Sequence, residues 1–151
     1  MYHIRVAEER DILYVYQFIN WLEEVNFSFN TFEAIYKENI SKKENHYLVA
    51  ESVSNGIVGF ISCHTQNLLH HCGRVAEIQE LYVHEQYRSQ GIGRYLVNEL
   101  QARLAQCASI EVTVQNKRAG THFFYEQLEF KSTHRKFVKQ PPTQSRHKYE
   151  E

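Results

Sequence analysis

The stretch that decides the fold is residues 81–93, which read LYVHEQYRSQGIG. The apolar run ending at Val83 predicts a strand, and the helical spacing of apolar residues after Gly91 predicts a helix. The turn between them has the pattern Arg-x-x-Gly-x-Gly, in which glycines let the backbone come close to a ligand. A helix N-terminus offers unpaired N–H groups at the positive end of its dipole, so this turn predicts a pocket for a pyrophosphate group. The groups that would hold it are the backbone N–H groups of Gly91, Ile92, Gly93 and Arg94 and the guanidinium groups of Arg88 and Arg94.

Two better-known phosphate loops do not fit this stretch. The third glycine of a dinucleotide-binding GxGxxG is replaced by Leu96, and no Gly-Lys-Ser/Thr follows as in a P-loop. A lone Gly-x-Gly is also compatible with an ordinary loop before a helix. The preceding strand and the following helix make the whole pattern more specific than its two glycines.

The rest of the chain first pairs strands through a hairpin at residues 54–56 and later alternates strands with helices, which predicts a mixed α/β sheet. Thr31 is the expected N-cap of the second helix. Residues 66–74 are expected to be a loop, and residues 143–151 are expected to be a frayed tail. The predicted strands are 2–7, 46–53, 57–65, 76–83, 110–114 and 130–138, and the predicted helices are 8–25, 31–41, 91–107 and 118–128.

Composition excludes several classes of protein. The 151 residues suit one domain, and the net charge of −1 lacks the basic excess of a dedicated nucleic-acid binder. No apolar run is long enough for a membrane-spanning helix. The three cysteines form no CxxC pair, which predicts free thiols and a cytoplasmic location. Residues 1–87 have a net charge of −6, and residues 131–151 have a net charge of +4. One interpretation is that a cationic ligand meets the first half of the chain and an anionic ligand the second. The other is a solvated acidic face with a basic tail.

The turn resembles the acetyl-CoA-binding motif of the GNAT superfamily of acetyltransferases. Residues 77–83, EIQELYV, resemble the central fourth strand of that family, and residues 123–130, FFYEQLEF, resemble its FYxxxGF segment, with Glu129 in place of the usual glycine. The resemblance covers roughly residues 2–138. It implies an α/β GNAT fold: a mixed, mostly antiparallel central sheet of about six to seven strands, flanking helices and a splayed fourth strand. It also implies one domain over residues 1–139 and a short tail over residues 140–151.

A narrower resemblance connects residues 57–138 with the aminoalkylphosphonate N-acetyltransferases. It rests on the spacing of His64, Gln66, His70 and His71 ahead of residues 77–81, and on residues 116–118, 122, 124–125 and 137–139. It implies transfer of the acetyl group of acetyl-CoA to the primary amine of a small molecule by direct attack in a ternary complex. Two alternatives stay open: another acceptor amine (an aminoglycoside, a polyamine or a peptide N-terminus), or a non-catalytic acyl-CoA sensor. The coenzyme contacts implied are Leu81, Tyr82, Val83, Arg88, Ser89, Gln90, Gly91, Ile92, Gly93, Arg94 and Asn116.

Acetyl transfer to an ammonium group needs a base, an oxyanion donor and an acid for the departing thiolate. Glu77 is the first candidate for the base and Glu80 the second. Strand alternation places them on opposite faces unless a bulge intervenes. Tyr125 is the expected acid, and the backbone N–H of Val83 is the expected oxyanion donor.

Three of the nine histidines, His64, His70 and His71, are predicted to line the acceptor pocket. A divalent metal on them is the weaker alternative, since adjacent histidines in a loop are poor ligand spacing. Cys63 and Cys72 are read as buried, inert thiols rather than nucleophiles. No nucleic acid and no membrane is expected as a partner, and a homodimer is suggested by analogy with small members of the family.

Overall fold

The computed structural model describes residues 1–142, and the tail predicted at residues 143–151 lies outside them. The chain divides into two compact units, Met1–Lys117 and a second that begins at Arg118. The first unit contains β1 (Tyr2–Val6), α1 (Ile12–Glu23), α2 (Phe29–Ser41), β2 (Asn45–Ser52), β3 (Gly56–Leu68), β4 (Gly73–Val83), α3 (Ile92–Ala102) and β5 (Ser109–Val112). The second contains α4 (Ala119–Gln127).

Within residues 1–142, five strands form one sheet in the order β1-β2-β3-β4-β5. The first four pair antiparallel, and β5 joins β4 in parallel, so the predicted mixed and mostly antiparallel sheet is confirmed. The predicted count of six to seven strands is wrong, because residues 130–138 form no strand. Six polar residues, 131–136, separate Phe130 from Phe137, so this segment has no alternating apolar face to bury.

Helices cover both faces of the sheet. On one face α1 and α2 pack Phe18 and Tyr36 against Tyr47 and Phe60. We call this the α1/α2 face. On the other face α3 lies so close to β3 that a Cβ on Gly59 would come within 3.2 Å of Leu96. The absence of a side chain at Gly59 avoids this tight contact, and α3 begins directly after the glycine-rich turn.

Two expected boundaries are wrong for local reasons. The second helix is capped by Ser28, whose hydroxyl accepts from Thr31 N, so it begins before the predicted cap at Thr31. The predicted loop at residues 66–74 is mostly sheet: β3 continues to Leu68 and β4 begins at Gly73. A short 3-10 turn over Leu69–His71 joins them, with Cys72 in the left-handed region at φ 46°.

No helix within residues 1–142 combines the length and apolarity needed to cross a membrane.

Candidate active site

A bulge in β4 determines which side chains lie together at the candidate active site. Glu80 pairs with Ser62 and Ile78 pairs with Cys63, so Gln79 is an extra residue without a partner on β3. Ser62 and Cys63 are adjacent on β3 and point to opposite faces, so their partners Glu80 and Ile78 also do. The bulge therefore brings Glu80 to the same face as Glu77, which strict alternation would have kept apart.

Glu80 is the more enclosed of the two carboxylates. The Ser62 hydroxyl donates to Glu80 Oε1 and accepts from Glu80 N at 3.0 Å. Burial raises the pKa of the Glu80 carboxyl, and the negative charge of Glu23 on α1 adds to this, while the Ser62 hydrogen bond acts in the opposite direction. A carboxylate that is held in place and has a raised pKa is suited to accept a proton.

Glu77 belongs to a polar row that crosses three strands. It pairs with His64 on β3 and with Glu111 on β5, and its Oε atoms lie 3.3 Å from Gln79 Nε2 and 3.4 Å from Thr113 Oγ1. The three carboxylates Glu77, Glu80 and Glu111 make this face of the sheet acidic, which suits a cationic acceptor.

The three predicted histidines are only partly brought together. His71 Nε2 lies 3.3 Å from Glu111 Oε2 and so meets the end of the polar row. His70 is exposed at the turn, and its ring centroid is 4.6 Å from that of His71. His64 lies within the sheet, opposite Glu77. Within residues 1–142, no group of three or more His, Cys, Asp or Glu side chains is arranged to hold a metal ion.

A chain of hydrogen bonds from α2 reaches the ring of His64. Asn39 Nδ2 donates to Tyr47 Oη at 2.9 Å, and Tyr47 Oη lies 2.9 Å from His64 Nε2. Tyr47 accepts from Asn39 and can donate its own proton to Nε2 when the proton of His64 is on Nδ1. Burial and the charge of Lys42 lower the pKa of His64, in agreement with a neutral ring.

Beyond the bulge, β4 separates from β5. The parallel pairing covers only Val75–Ile78, and β5 ends at Val112, whereas β4 continues to Val83. Within the first unit, residues 79–83 thus have no strand neighbour on the β5 side. This is the predicted splay, and it contains the implied coenzyme contacts Leu81, Tyr82 and Val83.

The glycine-rich turn has the backbone that its sequence predicts. Gly91 is the N-cap of α3 at φ 83°, and Ser89 also lies in the left-handed region at φ 65°. Arg88 anchors the turn, since its Nε donates to Val83 O at 2.9 Å and its guanidinium lies 5.0 Å from the centre of the Tyr82 ring. The Tyr2 hydroxyl donates to Gln90 Oε1 and connects the turn to β1. Ile92 is buried in the first turn of α3, Gly93 is half-buried, and Arg94 and Asn116 are exposed.

Tyr125 lies in the second unit, near the end of α4. It is buried, its ring contacts Phe124 and Phe130 edge-on, and burial raises its pKa to about 12. Glu129 adopts φ 69° after the helix, so it takes the left-handed position where the family pattern has glycine.

Of the two cysteines beside the histidines, Cys63 is buried, and burial raises its pKa to about 12, so it is a thiol rather than a nucleophile. Cys72 is exposed.

Sequence reasoning missed Ser62, Tyr47 and Asn39. Ser62 and Tyr47 are partners in the register of β2 and β3, and Asn39 reaches Tyr47 from α2. Only the register and the bulge bring these side chains to the carboxylates. The polar Ser62 within the buried run of β3 was the one available indication.

A mixed sheet that opens beside a glycine-capped helix, with carboxylates next to the opening, is the arrangement that the resemblance to coenzyme-A-dependent acyltransferases implies. The Acetyltransferase (GNAT) family matches residues 10–130, and the chain belongs to this family. It is therefore an acetyltransferase that uses acetyl-CoA as co-substrate.

The chain is also similar to individual known proteins. The chain is 34% identical over 139 residues to the aminoalkylphosphonate N-acetyltransferase of Salmonella typhimurium (strain LT2), and the match covers 90% of this chain and 89% of that protein. A solved structure described as a transcriptional regulator from Bacillus halodurans C-125 superimposes with TM-score 0.83 at 25% identity, over 93% of this chain and 99% of that one. Glucosamine-6-phosphate N-acetyltransferase from Arabidopsis thaliana superimposes with TM-score 0.74 at 19% identity, over 93% and 98%, and shows the shared fold alone.

Proposed function

We propose that the acceptor is a small primary amine that carries an anionic group, specifically an aminoalkylphosphonate. The observation that carries this proposal is the 34% identity with the Salmonella aminoalkylphosphonate enzyme over 90% of the chain. The pattern of His64, His70, His71 and residues 77–81 supports the same subgroup.

We infer that Glu80 takes the proton from the acceptor's ammonium group, directly or through a water molecule. Two features favour it over Glu77: its carboxylate is held by Ser62, and its pKa is raised by burial. The ordinary pKa of a Glu side chain, ~4.3, is far below that of an amine, so a raised pKa of Glu80 reduces the difference in pKa between the base and the acceptor. The free amine then attacks the acetyl carbonyl, and the carbon–sulfur bond breaks as the tetrahedral intermediate collapses.

Charge development is handled by two further groups in this scheme. The backbone N–H of Val83 donates to the oxyanion, in keeping with its place at the end of the splayed strand. Tyr125 donates its phenolic proton to the departing thiolate, and the proton that the nitrogen loses as the amide forms restores the phenol. A phenol with a pKa of about 12 is fully protonated at neutral pH and so has the proton available.

The histidines supply donors for the acceptor's anionic group. Burial lowers the pKa of His64, and its Nδ1 can donate a hydrogen bond in the tautomer in which Nε2 accepts from Tyr47. His71 is held at the end of the same polar row by Glu111. A homodimer and a cytoplasmic location also remain predictions.

An acceptor panel tests this function. The purified chain is given acetyl-CoA and either 2-aminoethylphosphonate or ethylamine, which has the same amine and two-carbon chain without the phosphonate; an aminoglycoside, a polyamine and a peptide N-terminus complete the panel. We expect kcat/KM for the phosphonate to exceed that for ethylamine by at least tenfold. Equal values would refute the phosphonate proposal, and a clear preference for another amine would redirect it to that class.

A further inference from the structure

Ser62 stands out because its hydroxyl bonds one residue twice. It accepts from Glu80 N at 3.0 Å and donates to Glu80 Oε1. The side chain is fully buried, with 0% exposure, in the centre of β3. A polar group in such a place is normally retained only where its hydrogen bonds are satisfied, and both bonds of this hydroxyl go to the same residue.

The two bonds act on two different properties of Glu80. The bond from Glu80 N is made directly after the extra residue Gln79, where a bulge leaves the ladder locally disrupted. It therefore supports the backbone shape that turns Glu80 towards the α1/α2 face. The bond to Oε1 fixes the carboxylate and favours its ionised form, because a hydroxyl donates more strongly to a charged acceptor.

We propose that Ser62 is a positioning residue for acetyl transfer, which holds both the bulge and the Glu80 carboxylate in the geometry needed for proton abstraction. This inference rests on the proposed role of Glu80 as the base. Ser62 itself touches neither the acceptor nor the coenzyme in this scheme.

Several other groups act on Glu80, and the test has to separate Ser62 from them. Glu23 faces it from α1, and Tyr47 from β2 is close enough that the charge of Glu80 contributes to raising the pKa of Tyr47 to about 12. His64 on β3 and Glu77 on β4 share the same face. Of these groups, Glu23 also raises the pKa of Glu80, whereas the hydrogen bond from Ser62 lowers it.

The experiment is the pH profile of kcat/KM for the best acceptor in wild type, Ser62→Ala and Ser62→Thr. Ser62→Ala removes the bond that favours the ionised carboxylate, so the acid limb should move to higher pH and kcat/KM on that limb should fall by about tenfold. KM for acetyl-CoA should stay unchanged. Ser62→Thr keeps a hydroxyl and should restore the wild-type limb. Ser52→Ala removes a hydroxyl from another buried serine, at the end of β2, and serves as the matched control that leaves the profile unchanged.

The Glu80 carboxyl is also titrated directly, by carbon-13 NMR of glutamate-labelled protein, so that an inactive variant still gives a result. A higher pKa of Glu80 in Ser62→Ala supports the proposal, and an unchanged pKa with an unmoved acid limb overturns it. If Glu80→Gln keeps wild-type activity, Glu80 is not the base and the proposed mechanism fails together with this inference. If Glu80→Gln is inactive while Ser62→Ala behaves as wild type, only the role of Ser62 is refuted.

Discussion

Replacing Glu80 with glutamine should lower activity and raise stability at the same time. Glutamine has nearly the same shape and still accepts from the Ser62 hydroxyl, but it cannot take a proton. Loss of a general base typically costs roughly 10²- to 10⁴-fold in rate, so kcat/KM should fall by that factor. Binding of coenzyme A, which we propose for the glycine-rich turn, should stay unchanged.

The gain in stability follows from the raised pKa of Glu80. Burial makes the ionised form less favourable in the folded state than in the unfolded chain, and each pKa unit of difference corresponds to about 1.4 kcal/mol. A raised carboxyl pKa means that wild type loses stability as pH rises from the unfolded value through the folded one. The neutral glutamine side chain resembles the protonated form of Glu80, so the Glu80→Gln variant should be more stable at neutral pH, and its advantage should vanish below the pKa of the unfolded chain.

The assay is urea unfolding of both proteins from acid to neutral pH, together with kcat/KM and the Kd for coenzyme A. A variant that is less stable than wild type at neutral pH would refute the inference that burial disfavours the ionised form of Glu80 in the folded state. A difference in the free energy of unfolding that stays constant with pH would contradict its proposed dependence on the raised pKa of Glu80. Activity within about threefold of wild type would remove Glu80 from the mechanism.

Three further substitutions test other parts of the account. Asp11→Ala should lower the free energy of unfolding by about 3–5 kcal/mol, because Asp11 is buried and accepts two 2.8 Å hydrogen bonds from Arg5. Urea unfolding measures this change, and a loss under 1 kcal/mol would contradict the prediction. Gly91→Ala should raise KM for acetyl-CoA with little change in kcat. The added Cβ would have no atom within 4 Å, but a residue with a Cβ pays about 1–2 kcal/mol to adopt φ 83°. An unchanged KM would show that the backbone conformation at Gly91 does not contribute to coenzyme binding. Tyr125→Phe should lower kcat by roughly 10²-fold and leave the Kd for coenzyme A unchanged, and a full rate would show that another group protonates the thiolate.

The sequence was sufficient where the structure depends on local backbone conformation. The turn at residues 88–93 needs a left-handed residue at the N-cap of a helix, and glycine at position 91 is a direct indication of that conformation. The apolar spacing after it predicted α3, although α3 ends at Ala102, earlier than expected. The hairpin of β2 and β3 was predicted for the same reason, since Asn55 and Gly56 are typical turn residues.

The face on which each carboxylate lies could not be predicted, because it depends on register. The bulge at Gln79 moves Glu80 across the sheet relative to simple alternation, and no residue type requires a bulge there. Ser62 and Tyr47 are close to Glu80 only through the pairing of β2, β3 and β4. The expected last strand failed for a related reason: β propensity at Phe137 and Val138 does not make a strand without an apolar face to pack.

The central claim is that the acetyl group passes directly from acetyl-CoA to the acceptor amine. One equivalent of acetyl-CoA is mixed with the enzyme with and without 2-aminoethylphosphonate, and the intact protein is weighed by mass spectrometry while the small molecules are followed by NMR. The account predicts an unmodified protein in both samples, and N-acetylated acceptor with free coenzyme A only when the amine is present. An acetylated protein that passes its acetyl group to the amine, or release of coenzyme A without an amide product, would contradict it.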